Sequence, residues 1–391
     1  MATDGELRAL IDRVLEICSS DDNTARAAKW APEPDWARDH WRGVPRPPDE
    51  AGGVPFTVEP ENAFWAHILG FDIKRYYTDP RTFLQARLQM SIYRFEHFDD
   101  HTVIGDDMPI WFGVPFETSL FGMPWEFTSG NDPWIGRRPV VNGLEDVHRL
   151  APIDFHSSGL MPHAHHFYTE LCELSDGRLR ITFPEWGRGP MGVACQLRGM
   201  EHFLADMCEQ PELVRELMRA VTDARIRWTQ KRADFLAQDV AAGNLYNDAI
   251  GSEIIGPQHY EEFVLPEEMR LGAFHGAIAY WHSCGSTEDF APLVGHLPNL
   301  TMYHVGPHTD VRAVREALGT GVALEVCLDP VADVQMSDRA SMQARIGAIV
   351  EAADDGPLTI RADGLQLLHG LNEDLAKIQE FIEAAKAVLV A

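Results

Sequence analysis

Apolar positions in the C-terminal half of the chain follow two alternating rhythms. Short, nearly continuous apolar runs, which are typical of buried strands, alternate with longer segments whose apolar residues recur every three or four positions. In one such segment Leu213, Leu217 and Val221 share a helical face. The pattern predicts strands over residues 179–183, 245–249, 278–282, 300–304, 323–326 and 358–361, and helices over 200–206, 211–237, 257–276, 286–294, 311–318, 338–353 and 373–389.

The N-terminal part of the chain has a different pattern. Residues 1–60 contain a predicted helix over 6–17 and then proline- and glycine-rich stretches, which indicate an arm and a linker. Between Phe56 and Trp134 lie 17 of the 37 aromatic residues, so residues 61–175 are predicted to form an aromatic-rich cap or insertion with the first barrel elements. These rings either fill a core or a subunit contact, or line a pocket for a flat substrate.

Six strand–helix alternations with short connections predict a parallel α/β sheet. The length of 391 residues favours a closed (β/α)8 TIM barrel, whose main part would occupy residues 176–391. A chain that is 45% apolar folds around a large core.

Charge and apolar content limit the classes of partner. The net charge of −27 argues against nucleic acid and anionic membrane surfaces as ligands. No apolar stretch reaches the roughly 18 residues of a membrane span, and the N-terminus lacks the apolar block of a signal peptide, so we expect a cytoplasmic protein. Six scattered cysteines in a long chain do not indicate a disulfide framework, and metal or catalytic use becomes the question.

Polar residues follow the predicted strands at the end where parallel α/β proteins gather their chemistry. They are Asn247 and Asp248, His282 and Cys284, His304, Glu325 and Cys327, and Asp363. Alternation along an extended segment places His282 and Cys284 on the same side, where imidazole and thiolate can share a cation. Cys327 would supply a third ligand on barrel closure and leave the fourth tetrahedral position open, as in catalytic zinc sites.

From about residue 187 onward, the chain resembles the uroporphyrinogen decarboxylase superfamily. The resemblance rests on ordered blocks at residues 189–194 (GPMGVA), 197–201 (LRGME), 210–215 (QPELVR), 247–248 (ND), 255–266 (IGPQHYEEFVLP), 282–286 (HSCGS) and 327–330 (CLDP). It implies a (β/α)8 barrel. The superfamily contains metal-free porphyrin decarboxylases and zinc-dependent methyltransferases that work with corrinoid proteins.

The resemblance implies the methyltransferase branch, because that branch carries His-x-Cys followed by a later Cys, and residues 1–60 lack the Arg-rich stretch of the decarboxylases. In that branch the last Cys lies nearer the C-terminus, where this chain has Arg361 to Gly364. Cys327 is therefore the favoured third zinc ligand, and Asp363 or Glu325 is the alternative third or fourth ligand.

The expected reaction transfers a methyl group between a corrinoid protein and a thiol or small organic donor, for which a methoxylated aromatic is one candidate. The corrinoid (cobalamin) must come from a partner, because the chain lacks the Asp-x-His-x-x-Gly signature of corrinoid-binding domains. Asp248 is assigned to catalysis through substrate orientation, and His304 and Glu325 to proton transfer or additional ligation. Substrate contacts are expected from Tyr246, Asn247, Trp186 and Arg188.

Each of these side chains also has a structural interpretation, as a helix cap, a buried hydrogen-bonded group or a surface ion pair. Two other functions stay open. One is a metal-free decarboxylase or lyase that uses Asp248, and the other is a non-catalytic, zinc-stabilised binding protein. The aromatic cap also makes a homodimer a candidate assembly.

Overall fold

The structure is a computed structural model that describes residues 2–31 and 43–389. Part of the predicted arm, residues 32–42, lies outside the described residues. The described strands are β1 (Phe56–Pro60), β2 (Asp107–Pro109), β3 (Trp125–Glu126), β4 (Trp134–Ile135), β5 (Arg180–Thr182), β6 (Gly243–Tyr246), β7 (Ile278–His282), β8 (Met302–Val305), β9 (Ala323–Cys327) and β10 (Leu358–Leu365).

The helices begin and end as follows: α1 (Asp4–Cys18), α2 (Asp21–Ala27), α3 (Pro48–Ala51), α4 (Asn62–Leu69), α5 (Ile73–Thr78), α6 (Pro80–His97), α7 (Pro115–Ser119), α8 (Leu144–His148), α9 (Met161–Leu174), α10 (Pro190–Arg198), α11 (Met200–Glu209), α12 (Pro211–Leu236), α13 (Pro257–His259), α14 (Leu265–His275), α15 (Ala291–Val294), α16 (Val311–Leu318), α17 (Arg339–Ala353) and α18 (Leu371–Leu389). Two π-helical turns occupy Tyr260–Val264 and Pro330–Gln335. Acidic caps start several helices: Asp310 accepts from the Ala313 N–H at α16, and Asp338 accepts from the Ser341 N–H at α17.

Within the described residues, eight parallel strands are arranged consistently with the predicted barrel. Six of them make one sheet in the order β1-β10-β9-β8-β7-β6, in which β1, the first strand along the chain, pairs with β10, the last. β2 and β5 form a second parallel pair. Backbone hydrogen bonds of 3.0 and 2.9 Å join Tyr246 on β6 to Gly187 and Gly189 after β5, and the His101 N–H donates to the Phe56 carbonyl on β1 at 2.9 Å. The two sets of strands therefore surround a common interior, as in a (β/α)8 barrel.

The barrel takes β1 from the segment 1–60 and β2 from the segment 61–175, so it includes strands that the hydrophobic pattern does not predict. The short antiparallel ribbon β3–β4 lies in the aromatic-rich segment. Most rings of this segment are buried, whereas Trp111, Trp125 and Trp134 are exposed. Among the described residues, no helix combines the length and hydrophobicity that crossing a membrane requires.

Two predicted helices differ from the observed ones for local reasons. The helix predicted over 257–276 is interrupted by a π-helical turn, because Pro266 has no N–H to donate to the carbonyl one turn earlier. The helix predicted over 286–294 begins only at Ala291. The Ser286 and Thr287 N–H groups instead donate to the side chains of Glu253 and Thr309, which hold this segment as a loop.

Candidate metal centre

The candidate residues project from the carboxyl halves of adjacent strands. On β7, Tyr280 and His282 are two positions apart and therefore share a face, as do Glu325 and Cys327 on β9. The strand register pairs His304 on β8 with Glu325 on β9, and His282 with Tyr246 on β6. Parallel pairing thus brings imidazole, thiol and carboxyl groups from three strands together at one end of the barrel.

The first cluster with metal-ligand chemistry contains His282, Cys284 and His304, whose ligand atoms lie within 4.8 Å of one another. The Cys284 Sγ is 3.3 Å from the His282 Nε2. The two imidazole rings lie 4.0 Å apart between centroids. His282 and His304 are buried and Cys284 is exposed, so this cluster opens outward through its thiol.

The second cluster contains His304, Glu325 and Cys327, again within 4.8 Å. The His304 Nδ1 is 3.1 Å from the Glu325 Oε1 and 3.8 Å from the Cys327 Sγ. The expected ligands His282, Cys284 and Cys327 are therefore divided between two overlapping clusters. His304, expected as a proton carrier or extra ligand, joins them.

The carboxylates expected nearby lie in different positions. Asp248 is 3.2 Å from the His282 Nε2 through its Oδ1 and 3.4 Å from the Arg188 Nη1 through its Oδ2. Asp363, the alternative zinc ligand, is 3.3 Å from the Arg361 Nη1. Asp248 therefore contacts the first cluster through His282, whereas Asp363 is part of an ion-pair group built around Arg361.

A cavity of about 450 Å³ opens onto the first cluster. Its wall includes five of the predicted site residues, Arg188, Tyr246, Asp248, His282 and Cys284, together with Asp363. The aromatic-rich segment contributes Trp65, Tyr76, Phe83 and Trp111. This volume is that of a small-molecule pocket, and its aromatic side is suited to a flat or apolar group.

Two predicted substrate contacts have structural surroundings instead. The Trp186 side chain is 2% exposed and packs against Phe121 and Trp228. Asn247 is fully buried, and its Nδ2 donates to the Glu268 Oε1 at 2.8 Å while its N–H donates to the His282 carbonyl at 2.7 Å. Neither side chain is part of the wall of the cavity among the described residues.

Comparison with known proteins identifies the family. A sequence profile of the uroporphyrinogen decarboxylase family matches residues 64–388, which is most of the chain. The chain belongs to the uroporphyrinogen decarboxylase family. Its fold is also similar to that of a methyltransferase from Methanosarcina mazei, with a TM-score of 0.62 and 16% identity over 85% of this chain and 94% of that one. A search of curated proteins finds no match.

In this family member, charge holds the His282–Asp248 contact together. Burial alone lowers the pKa of His282, but hydrogen bonds with Asp248 and Cys284 raise it to about 10. Burial likewise acts to raise the pKa of Asp248, yet its hydrogen bond to His282 and the charge of Arg188 hold that pKa well below its ordinary value. Without a metal, His282 is therefore an imidazolium beside a carboxylate at neutral pH.

Sequence reasoning missed two buried residues that connect the clusters. The Tyr280 hydroxyl contacts His282, His304 and Glu325, and Arg361 pairs with Glu325, Asp363 and Glu59. Both stand two positions before a predicted site residue, since Tyr280 precedes His282 and Arg361 precedes Asp363. The alternation that pairs His282 with Cys284 also places these side chains on the interior face, and this signal could have identified them.

The donor set fits a zinc ion in its chemistry. Thiol sulfur and imidazole nitrogen are the ligands that zinc prefers, and the clusters gather both types from adjacent strands. Because the first cluster opens onto the cavity, a metal held there would be accessible to small molecules. The arrangement can therefore hold a metal and present it to a substrate.

Proposed function

We propose that this chain is a zinc-dependent methyltransferase that transfers a methyl group between a corrinoid protein and a thiol or small organic donor. The observation that carries the proposal is the meeting of His282, Cys284, His304 and Cys327 at the carboxyl ends of adjacent strands, beside a cavity of about 450 Å³. The corrinoid partner, the cytoplasmic location and the methoxylated aromatic as donor are predictions from the sequence.

The proposed zinc ligands are His282 and Cys284, with Cys327 as the third, and His304 lies between them. With such ligands, a bound zinc would supply Lewis acidity, which stabilises a substrate thiol as its thiolate or polarises the leaving atom of a methyl donor. The chain itself supplies the pocket, whose rings would shield a bound methyl group from water, and the Arg188 guanidinium, which can bind a carboxylate of the substrate.

Asp248 has a distinct proposed role, because it contacts the same His282 nitrogen that would bind the metal. In the metal-free protein it stabilises the proton on that nitrogen at 3.2 Å. Once His282 binds a metal, this carboxylate becomes available to orient a donor or acceptor in the cavity. Glu325 stays in hydrogen bonds with His304 and Arg361, where it supports the ligands.

Metal content of protein purified without added metal tests the proposal. We expect about one zinc per chain in the native protein, loss of zinc in Cys284→Ser, and no loss in the control Cys208→Ser, whose thiol is exposed on α11. Loss in Cys327→Ser as well would support Cys327 as the third ligand, and retention there would assign that place to His304. A zinc-free native protein would overturn the proposal.

Methyl transfer is tested separately with methylcobalamin and a thiol as probes. The native protein should demethylate the cobalamin, and Cys284→Ser should lose that activity while Cys208→Ser keeps it. Decarboxylation or another lyase reaction of a small organic substrate that survives stringent chelation would instead favour a metal-free lyase. The observation favouring that second candidate is Arg188 beside Asp248 on the cavity wall, where the guanidinium can bind the carboxylate of a substrate.

A further inference from the structure

A single buried hydroxyl connects the two clusters. Tyr280 is 1% exposed on β7, and its oxygen lies 3.2 Å from the His282 Nδ1 and 3.2 Å from the His304 Nδ1. The same hydroxyl donates to the Glu325 Oε1. The phenol oxygen thus contacts the Nδ1 atom of both imidazoles.

The direction of these hydrogen bonds follows from counting protons. The Glu325 Oε1 accepts from Tyr280 and lies 3.3 Å from the Arg361 Nη1, a group that can only donate. A phenol has one proton, and Tyr280 gives it to Glu325. Its oxygen can therefore only accept from the imidazoles, so both Nδ1 atoms must carry a proton.

We propose that Tyr280 is a positioning residue that holds His282, and together with Glu325 at 3.1 Å also His304, in the form protonated at Nδ1, leaving Nε2 of each ring as the nitrogen offered to a metal. For His282 this agrees with the geometry, because its Nε2 is the atom that lies 3.3 Å from the Cys284 Sγ. The metal part of this inference rests on the zinc function proposed above. The proton positions rest on the hydrogen-bond network alone.

The proton on the His304 Nδ1 also limits how Cys327 can take part in metal binding. Its Sγ lies 3.8 Å from the His304 Nδ1, the nitrogen that carries the proton. A protonated nitrogen cannot bind a metal, so His304 and Cys327 share one only if the ion lies on the Nε2 side of the ring. The Nδ1-protonated tautomer of His304 therefore favours metal binding at the first cluster over the second.

The test uses the full-length protein with 15N-labelled histidine and the variant Tyr280→Phe, which removes the hydroxyl and keeps the ring. Tyr303→Phe is the matched control, because Tyr303 is equally buried on β8 and its hydroxyl donates to the Thr287 carbonyl at 3.0 Å. Proton–nitrogen correlation spectra, assigned with His282→Gln and His304→Gln, identify which nitrogen carries hydrogen. Competition with a chelating dye measures the zinc affinity.

In the native protein we expect Nδ1–H signals from both rings and zinc bound through Nε2. Tyr280→Phe should weaken zinc binding by about 10- to 100-fold, as the loss of a hydrogen-bond partner of a metal-binding histidine does. The spectra of this variant should also show zinc bound through Nδ1. Tyr303→Phe should change neither quantity. The tautomer of the native protein can be determined even if Tyr280→Phe does not fold.

The outcomes separate this inference from the proposed function. A native ring protonated at Nε2 and not at Nδ1 would overturn the inference, and so would unchanged zinc affinity and ligation in Tyr280→Phe, while zinc binding itself would stand. Nδ1–H signals that depend on Tyr280 in a native protein that binds no zinc would support the assigned proton positions and overturn the zinc function.

Discussion

Replacing Asp248 by Asn should strengthen zinc binding at neutral pH. Asp248 contacts the His282 Nε2, the nitrogen that a metal would occupy, at 3.2 Å. Its charge stabilises a proton there, and zinc must displace that proton to bind. A carboxylate that accepts a hydrogen bond from the other ring nitrogen of a metal-bound histidine acts differently, because removing that carboxylate weakens metal binding. Asp248→Asn keeps the size of the side chain and removes the competing charge.

The magnitude follows from the pKa of His282. Burial lowers that pKa, but Asp248 and Cys284 raise it to about 10 from the ordinary 6.5, which corresponds to about 5 kcal/mol in favour of the imidazolium. The Asp248 side chain is 45% exposed, so solvent screens its charge and we assign it roughly 1–2 kcal/mol of this total. Asp248→Asn should therefore raise the zinc affinity at pH 7 by about 5- to 30-fold.

Dye competition at pH 6, 7 and 8 provides the assay. Because a pKa of about 10 keeps the native His282 protonated across this range, zinc affinity should rise at least about tenfold per pH unit. Asp132→Asn is the control, since Asp132 lines the same cavity but bonds to Tyr77 and Asn62. A tenfold or larger loss of affinity in Asp248→Asn would refute the reasoning and make Asp248 a metal ligand.

Two further predictions concern buried carboxyl groups. Burial and the charges of Asp363 and Asp132 raise the pKa of Glu61 to about 7, so anionic ligands should bind the cavity more weakly as the pH rises through 7, and Glu61→Gln should remove that dependence in a calorimetric titration. Burial also raises the pKa of Glu268 from 4.5 to about 7 despite its hydrogen bonds. The stabilising effect of protonated Glu268 is complete below pH 4.5 and is lost as the pH rises through 7. The unfolding free energy of the native protein should therefore fall over this range by up to about 3 kcal/mol relative to that of Glu268→Gln. Equal pH profiles of the two proteins in denaturant melts would contradict this.

The C-terminal barrel strands were predictable because their signal is local. The apolar run Ile278–His282 coincides with β7, and the helix predicted over 211–237 coincides with α12 to within one residue. β2 has only three residues, with Asp107 and Pro109 at its ends, so no apolar run marks it. It is a strand because β5 pairs with it, and that pairing is a long-range contact.

The candidate site was predictable as a set of residues and not as a set of contacts. Strand ends gave His282, His304 and Cys327, but the contact between His304 and Glu325 depends on the register of β8 against β9, which no local pattern specifies. Trp186 shows the same limit. It follows β5 closely enough to reach the barrel mouth, yet its side chain points into the packing around Trp228.

The ion pairs of Arg361 determine which groups are free to bind a metal. Its guanidinium is 1% exposed and lies within 3.3 Å of both Glu325 and Asp363, besides its contact with Glu59. A metal that recruited either carboxylate would draw it away from a buried cation, and breaking such a buried pair typically costs about 3–5 kcal/mol. Binding through the Cys327 Sγ or the His304 Nε2 would leave these pairs of Arg361 with its carboxylates in place. We therefore expect a sulfur or imidazole third ligand, and Cys327→Ser distinguishes the two.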